Sequence, residues 1–390
     1  MLNHPLLALA FRPFFLLAAV FAAVAIAVWV LVLRGVLPFQ PYGGALAWHA
    51  HEMLYGFGAA VLAGFLLTAV QNWTGIPGVS RGPLLVLVVA WLAGRLFMAL
   101  PLVPGGVVML LDLLFLPLTA IFFLRSVMSA GNRRNYKLAI IVLVMFAGNL
   151  LWHFGAITGK VQWMQIGVQL FVWLIVLVMT IITGRIMPMF TANGAGVPRV
   201  ENWQAVEIIT VVLTIALGLL MVLPLGIGTR SPAVAWVALA AAVVHFVRWL
   251  RWRPWVTPRI PLLWSLHLSY VFLPIGFLVL FLHRYVGTVS YSNVLHWLLV
   301  GAMGNMMLAM MSRVSLGHTG RDLKPAGILT VAFLALIAAA VIRGLGVGVW
   351  QQHYMASLDA AAFFWLLGFV IFTVIYWPVL ARPRADGKPG

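Results

Sequence analysis

Twelve long apolar runs constrain the fold of this chain more than any other feature. Each is close to the roughly 20 residues that a helix needs to cross the hydrocarbon core of a bilayer. Only 8% of the residues are charged, whereas soluble domains have about 25%. The sequence therefore predicts an all-α integral membrane protein with twelve transmembrane helices. The runs cover residues 14–33, 46–71, 83–100, 107–124, 138–157, 163–184, 205–225, 233–250, 261–282, 291–312, 326–345 and 358–380.

The gaps between the runs are too short to hold a soluble domain. We therefore predict a single polytopic membrane domain over residues 1–380 and a short cytoplasmic tail at 381–390. The first run lacks a convincing small-residue cleavage site, so we interpret it as a retained helix rather than a signal peptide.

The basic residues fall mostly on one side of the predicted membrane. Of 24 lysines and arginines, eighteen lie on the side that holds both termini. Cytoplasmic loops carry such an excess, so both termini should be cytoplasmic. The same bias explains the net charge of +17 through contact with an anionic leaflet, and nucleic acid is not needed as a partner. The five basic residues of the other side are Arg34, Lys160, Arg230, Arg284 and Arg343.

Two kinds of sequence feature are absent from the chain. There are no cysteines, which excludes disulfides, thiolate metal sites, iron–sulfur clusters and covalent c-type haem. The chain also has no phosphate-binding loop of the GxxxxGK[ST] type, which argues against direct coupling to ATP.

Three histidines lie at a similar predicted depth near the outer face of the membrane. His51 begins the second run, His153 ends the fifth and His296 begins the tenth. Neutral imidazole is the natural ligand for haem iron and for copper. These residues are candidate ligands of an intramembrane haem or metal site, and the alternative is that they are hydrogen-bonded packing groups or line a polar cavity. His49 and Glu52, three residues apart on one helical face, are further candidates for copper.

A run of methionines follows His296 on one helical face. The usual role of such a face is adaptable packing. The alternative is a soft surface for Cu(I), with Met307 and Met311 as candidate ligands. The methionines are Met303, Met306, Met307, Met310 and Met311.

Two opposite charges lie inside adjacent runs. Arg95 and Asp112 are each about six residues from the short turn that joins the third and fourth runs. They should meet at equal depth, and we predict a structural ion pair.

Small residues at Gly56, Ala60 and Gly64 form a stripe that lets another surface approach closely, either a helix or a flat porphyrin. Gly301 is in the equivalent position after His296.

Four segments carry a resemblance to a known family. They are FRPFFLLAAVFA at 11–22, WHAHEMLYGFGAAVLAGFLLTAVQNWTG at 48–75, TGRIMPMF at 183–190 and HWLLVGAMGNMMLAMMSRVSLGHTGR at 296–321. On these segments the chain resembles the NnrS family over nearly its whole length. The resemblance implies a bacterial cytoplasmic (inner) membrane protein of the nitric oxide and nitrosative-stress response that contains haem and copper.

A weaker similarity is to subunit I of haem–copper oxidases. That fold also has twelve spans, cytoplasmic termini and haem-ligating histidines on its second and tenth helices, where this chain has His51 and His296. The chain departs from it in having no histidine in the sixth or seventh run. An oxidase-type binuclear centre therefore lacks its ligands, and copper would need other residues.

These observations lead to one main hypothesis and two alternatives. The main one is a haem-binding, and copper-binding, protein that interacts with nitric oxide or a related small molecule. His51 and His296 are the expected haem ligands, with His153 next in line, and copper would use His49, Glu52, His153, Met307 or Met311. Any catalysis would need an external electron donor. The alternatives are a transporter or metal-handling permease that uses buried histidines and methionines, and a membrane scaffold without cofactor.

The charge bias makes the orientation testable. Reporter fusions at Gly390 and near Arg133 should show a cytoplasmic location, and fusions at Pro38 and Gly346 should show an external one. A cytoplasmic signal at Gly346 would contradict the topology and the depths assigned to the histidines.

Overall fold

The computed structural model describes residues 2–223, 232–285, 287, 289–347 and 351–388. Within them, twelve helices are long and apolar enough to cross a membrane, which confirms the predicted fold class. The end of the seventh predicted run at 224–225, together with Arg230 and Gly390, lies outside the described residues. The helices are α1 (Phe11–Leu33), α2 (Ala45–Thr74), α3 (Arg81–Ala99), α4 (Gly105–Ser129), α5 (Arg133–Thr158), α6 (Val161–Ala195), α7 (Gln204–Val222), α8 (Pro232–Val256), α9 (Pro261–Tyr285), α10 (Tyr291–His318), α11 (Ile328–Gly346) and α12 (Tyr354–Ala381).

Helix α6 continues well past residue 184, where its apolar run was expected to end. It contains Pro188, which has no N–H to donate and so leaves the carbonyl four residues earlier without its helical partner. That carbonyl belongs to Gly184, and the Asn202 side-chain amide donates to it at 3.1 Å. A side chain from the following loop thus satisfies the backbone that the proline disrupts.

The described chain packs as two compact units. Unit 1 contains Met1–Phe171, Met311–Leu323 and Phe369–Gly390. In this unit the termini are tied together, because the Arg12 guanidinium donates to the carbonyl oxygens of Leu380 at 2.8 Å and Arg382 at 2.7 Å. Arg12 is one of the eighteen basic residues counted on the side of the termini and precedes the first predicted run, but it lies inside α1 and is fully buried.

Unit 2 contains Val172–Met310 and Lys324–Gly368. Its largest contact joins α8 to α9, and a buried arginine, Arg248, lies beside that contact. Arg248 pairs with Glu207 and also donates to the Thr180 carbonyl at 2.9 Å and the Tyr270 hydroxyl at 3.2 Å. Arg248 was counted among the basic residues of the cytoplasmic side, and it is 2% exposed. A buried guanidinium needs such a set of acceptors because burial removes its hydration.

Aromatic side chains cover the small residues that were considered as porphyrin contacts. A Cβ atom on Gly56 would lie 2.8 Å from the Phe21 ring, and one on Gly64 would lie 3.0 Å from Phe15. In unit 2, a Cβ atom on Gly301 would lie 2.8 Å from Phe272. Each glycine therefore allows a phenylalanine to pack closely, and the contact of these glycines with a porphyrin stays a prediction.

The methionine face of α10 is buried. Its five members are between 0% and 9% exposed, as expected of side chains that fill irregular gaps between helices. The observed burial matches the packing role considered for this face.

A candidate metal centre of histidine and aspartate

Three ionisable side chains of unit 1 converge inside the helical bundle. They are His51 of α2, Asp112 of α4 and His153 of α5, and each offers one ligand atom within 4.8 Å of the others. His51 and His153 are fully buried and Asp112 is 4% exposed. Among the described residues this is the one group of three or more such side chains with the spacing of a metal site.

The His51 ring is fixed by two hydrogen bonds and two aromatic neighbours. Its Nδ1 lies 2.9 Å from Glu52 Oε1 and its Nε2 lies 2.8 Å from Asn149 Oδ1. Both partners are acceptor oxygens, so this pattern needs a hydrogen on each ring nitrogen and a positively charged imidazolium. The ring centroids of Tyr55 and Trp152 lie 5.0 Å and 4.4 Å away.

Helix α2 changes its hydrogen-bonding pattern just after His51. Residues Glu52–Gly58 form a π-helix, a local form that is frequent at functional sites. The Trp91 indole donates to the Gly56 carbonyl at 3.0 Å, so a neighbouring helix satisfies part of the backbone that the wider turn exposes. The π stretch follows directly on the residue that enters the centre.

Asp112 is the shared acceptor of the centre. Its Oδ2 atom accepts from Asn149 Nδ2 at 2.7 Å and lies 3.0 Å from His153 Nε2 and 3.4 Å from His51 Nε2. Its Oδ1 atom pairs with Arg95 of α3. Gly94 makes this approach possible, because a Cβ atom there would lie 3.2 Å from the Asp112 Cα.

The charges of the centre balance only when a further positive charge is present. Glu52 Oε2 lies 2.6 Å from Arg95 Nε, so one guanidinium faces the two carboxylates of Glu52 and Asp112. One negative charge is left over, and the His51 imidazolium balances it in the observed hydrogen-bond pattern. A buried charge without such compensation is strongly destabilising, and a bound cation could take the place of that proton.

His153 and Tyr42 complete the surroundings. His153 Nδ1 is buried and has no hydrogen-bond partner among the described residues. The Tyr42 ring, from the loop before α2, lies 5.6 Å from the His153 ring. Burial and, to a smaller extent, the negative charge of Asp112 raise the pKa of Tyr42 to about 12. The Tyr42 hydroxyl therefore stays protonated near neutral pH.

The structure groups the predicted copper ligands differently from the sequence interpretation. His153 lies with His51 and Asp112, not with His49 and Glu52. The His49 ring stacks on Trp29 at 4.5 Å, and the Glu52 carboxylate is engaged by His51 and Arg95. Met307 and Met311 are buried within α10.

His296 was the other expected haem ligand, and it lies in unit 2. Its ring is half-buried, and Nδ1 lies 2.6 Å from the Ser292 carbonyl oxygen. As in α2, a π-helix begins directly after this histidine, here over Trp297–Gly304. The Asn305 amide donates to the carbonyl of Val300 at 3.0 Å and supports that stretch.

Two members of the centre were not recognised as such from the sequence. Asp112 was assigned only to the pair with Arg95, and Asn149 was not considered. The signal for Asn149 was its position four residues before His153, which places both side chains on one face of α5.

The charge arrangement predicts unequal effects of removing its members. Arg95→Met leaves both carboxylates without their guanidinium and should lower the free energy of unfolding by ~3–5 kcal/mol, the scale for breaking a buried pair. Asp112→Asn should cost less, because loss of the His51 proton restores neutrality. Adding Glu52→Gln to Arg95→Met should recover part of the loss. Thermal unfolding in detergent measures these differences, and equal effects of the two single changes would contradict this charge balance.

Comparison with known proteins identifies the family. The family model described as NnrS protein matches residues 5–384, nearly the whole chain. The comparison with curated proteins found no match. Membership supports a role as a membrane protein of the nitric oxide response and suggests a metal-related cofactor. The chain belongs to the NnrS family.

Proposed function

We propose that this protein holds a copper ion at His51, Asp112 and His153 and uses it in the nitric oxide response of a bacterial cytoplasmic membrane. The observation that carries the proposal is the convergence of two imidazoles and one carboxylate within 4.8 Å in a buried site. Three helices supply one ligand each, so the arrangement depends on the folded bundle and not on a local sequence motif.

The donor set is compatible with copper, and the charge balance favours the monovalent state of that metal. Imidazole nitrogen binds copper, zinc, iron and nickel, and among divalent ions of the first transition series copper binds most tightly. Copper also has a monovalent state. Cu(I) in place of the His51 proton would leave the total charge of the site at zero, whereas a divalent ion would add a positive charge to the membrane interior.

The surrounding residues have definable roles toward such an ion. Glu52 fixes the His51 ring through Nδ1 and leaves Nε2 toward Asp112, which is how outer partners orient a metal-bound imidazole. Arg95 holds the carboxylate of Asp112 from the opposite side. A bound copper ion would supply one-electron redox chemistry and affinity for nitric oxide.

We assign His51 to copper and not to haem. Phe21 packs on the face of Gly56 that was considered for a porphyrin, which supports this assignment. A haem in this protein therefore needs another ligand. His296 stays the predicted one, and the π-helix that follows it in α10 is consistent with a functional role.

The sequence and the family support the proposed location and partners. The excess of basic residues on one side supports cytoplasmic termini, and the twelve helices require a lipid bilayer. Nitric oxide or a related small molecule is the proposed ligand of the metal. An external electron donor is needed if the protein catalyses a reaction.

Metal analysis of the purified protein tests the proposal. Elemental mass spectrometry should find about one copper per chain after loading with Cu(I) and desalting. Copper affinity should fall by ~10–100-fold in each of three variants, His51→Gln, His153→Gln and Asp112→Asn. This is the scale seen when the supporting residues of metal sites are lost. His353→Gln removes an exposed histidine and should retain copper like the unmodified protein.

Two results would contradict the proposal. Retention of copper by all three centre variants would place the ion elsewhere, and stable retention of zinc or iron in preference to copper would identify a different metal. Copper that exchanges readily and accumulates in proteoliposomes would instead support the metal-handling permease.

A further inference from the structure

A second site of interest is a pocket in unit 2, formed by α8, α9, α11 and the segment between α8 and α9. Its volume is about 350 Å³. This is within the range of small-molecule sites, ~300–1,000 Å³. Its lining is largely apolar and includes Trp249, Trp264, His267, Leu268 and Leu334, with the prolines and threonine of the 254–258 segment.

His267 provides the one unsatisfied polar atom that is buried in the lining. The side chain is 1% exposed, and its Nε2 lies 2.9 Å from the Thr191 hydroxyl. Nδ1 is buried without a hydrogen-bond partner among the described residues. Leaving such an atom unpaired costs free energy, so a ligand group that reached Nδ1 and formed a hydrogen bond with it would be stabilised.

Two other polar groups of the lining already have hydrogen-bond partners. The Trp249 indole donates to the His267 carbonyl at 3.0 Å, and the Thr257 hydroxyl donates to the Pro254 carbonyl at 2.7 Å. The hydrogen bond also fixes the Trp249 indole as a wall of the pocket. Trp264 packs edge-on against Phe333, with ring centroids 5.8 Å apart. The two indoles therefore offer flat, ordered surfaces to a planar ring.

The Thr191 hydroxyl lets His267 carry its proton on either ring nitrogen. A hydroxyl can either donate or accept. When Thr191 donates to Nε2, Nδ1 carries the proton and can donate to a carbonyl oxygen. When Thr191 accepts from Nε2, Nδ1 has a free lone pair and can accept from a hydroxyl. The same pocket can thus bind a ligand oxygen in either state.

Two leucines of the pocket lining are exposed. Leu268 is 37% exposed and Leu334 is 53% exposed, and both lie on membrane-spanning helices, α9 and α11. Side chains in such positions face the hydrocarbon of the bilayer, so a ligand would enter from the lipid phase.

From these features we propose that the pocket binds the head ring of an isoprenoid quinone. Such a ring is planar and apolar, carries a carbonyl when oxidised and a hydroxyl when reduced, and its tail stays in the lipid. His267 would bond one ring oxygen in both states, and the ring would lie beside the indoles. Binding itself is independent of the copper centre. The reduced ring could also deliver its electrons to the copper centre through this pocket. That second role rests on the proposed function.

Titration with decylubiquinone tests the proposal on the full chain. The protein is placed in nanodiscs of phosphatidylcholine and phosphatidylglycerol, and empty nanodiscs correct for partition into lipid. His267→Phe keeps a ring but removes the nitrogens and should weaken binding by about tenfold, equivalent to about 1.4 kcal/mol. Leu334→Trp should also weaken binding, because it fills the mouth of the pocket. His353→Phe changes an exposed histidine of the same unit and should bind like the unmodified protein.

Each other outcome overturns the proposal. Equal binding by all variants would place the quinone elsewhere. Loss of binding with Leu334→Trp but not with His267→Phe would show a site for any apolar chain, which displacement by spin-labelled phosphatidylcholine would identify as a lipid site. The titration is repeated after removal of metal with a chelator. Quinone binding that is unchanged after chelation is independent of the copper centre. The two proposals can then fail separately.

Discussion

The carboxylate of Asp112 is the interaction on which unit 1 depends. In a membrane interior an ionised carboxylate is tolerated only when it is paired and hydrogen-bonded. Arg95, Asn149 and His153 satisfy it directly, and His51 lies beside it. Because these partners come from three helices, the requirement to satisfy one charge on α4 fixes how α2, α3, α4 and α5 meet.

Satisfying that charge also produces a chemical site. The hydrogen bonds that neutralise Asp112 bring two imidazole rings to the same oxygen atom, Oδ2. A proton and a metal ion can occupy such a position in turn, since both supply positive charge to the same acceptor atoms. The stability of the bundle and its capacity to bind a cation therefore have one physical origin.

Unit 2 meets its buried polar groups differently. Arg248 pairs with Glu207 and donates hydrogen bonds to Thr180 and Tyr270. These residues form a structural network. Among the described residues, His267 has a hydrogen-bond partner only at Nε2, where it contacts Thr191. We therefore assign a ligand to the pocket lined by His267, whose Nδ1 atom has no hydrogen-bond partner among the described residues. We assign none to the Arg248 network.

The sequence was sufficient for the helices, because the length and hydropathy of each run are local properties. It also placed His51 and His153 at similar depth, and the structure brings both to Asp112. It could not show which face of α2 turns inward, so both His51 and His49, which stacks on Trp29, were candidate ligands. Side chains such as Phe21 that fill the space beside Gly56 come from distant parts of the chain, and no local pattern reveals them.

The most direct test of the central claim is the ligand set of the bound metal. X-ray absorption spectroscopy at the copper edge counts imidazole ligands through their characteristic outer-shell scattering. The copper-loaded protein should show two imidazoles, and His51→Gln and His153→Gln should each show one at whatever copper they retain. An imidazole count that is unchanged in both variants would contradict a centre built from His51, Asp112 and His153.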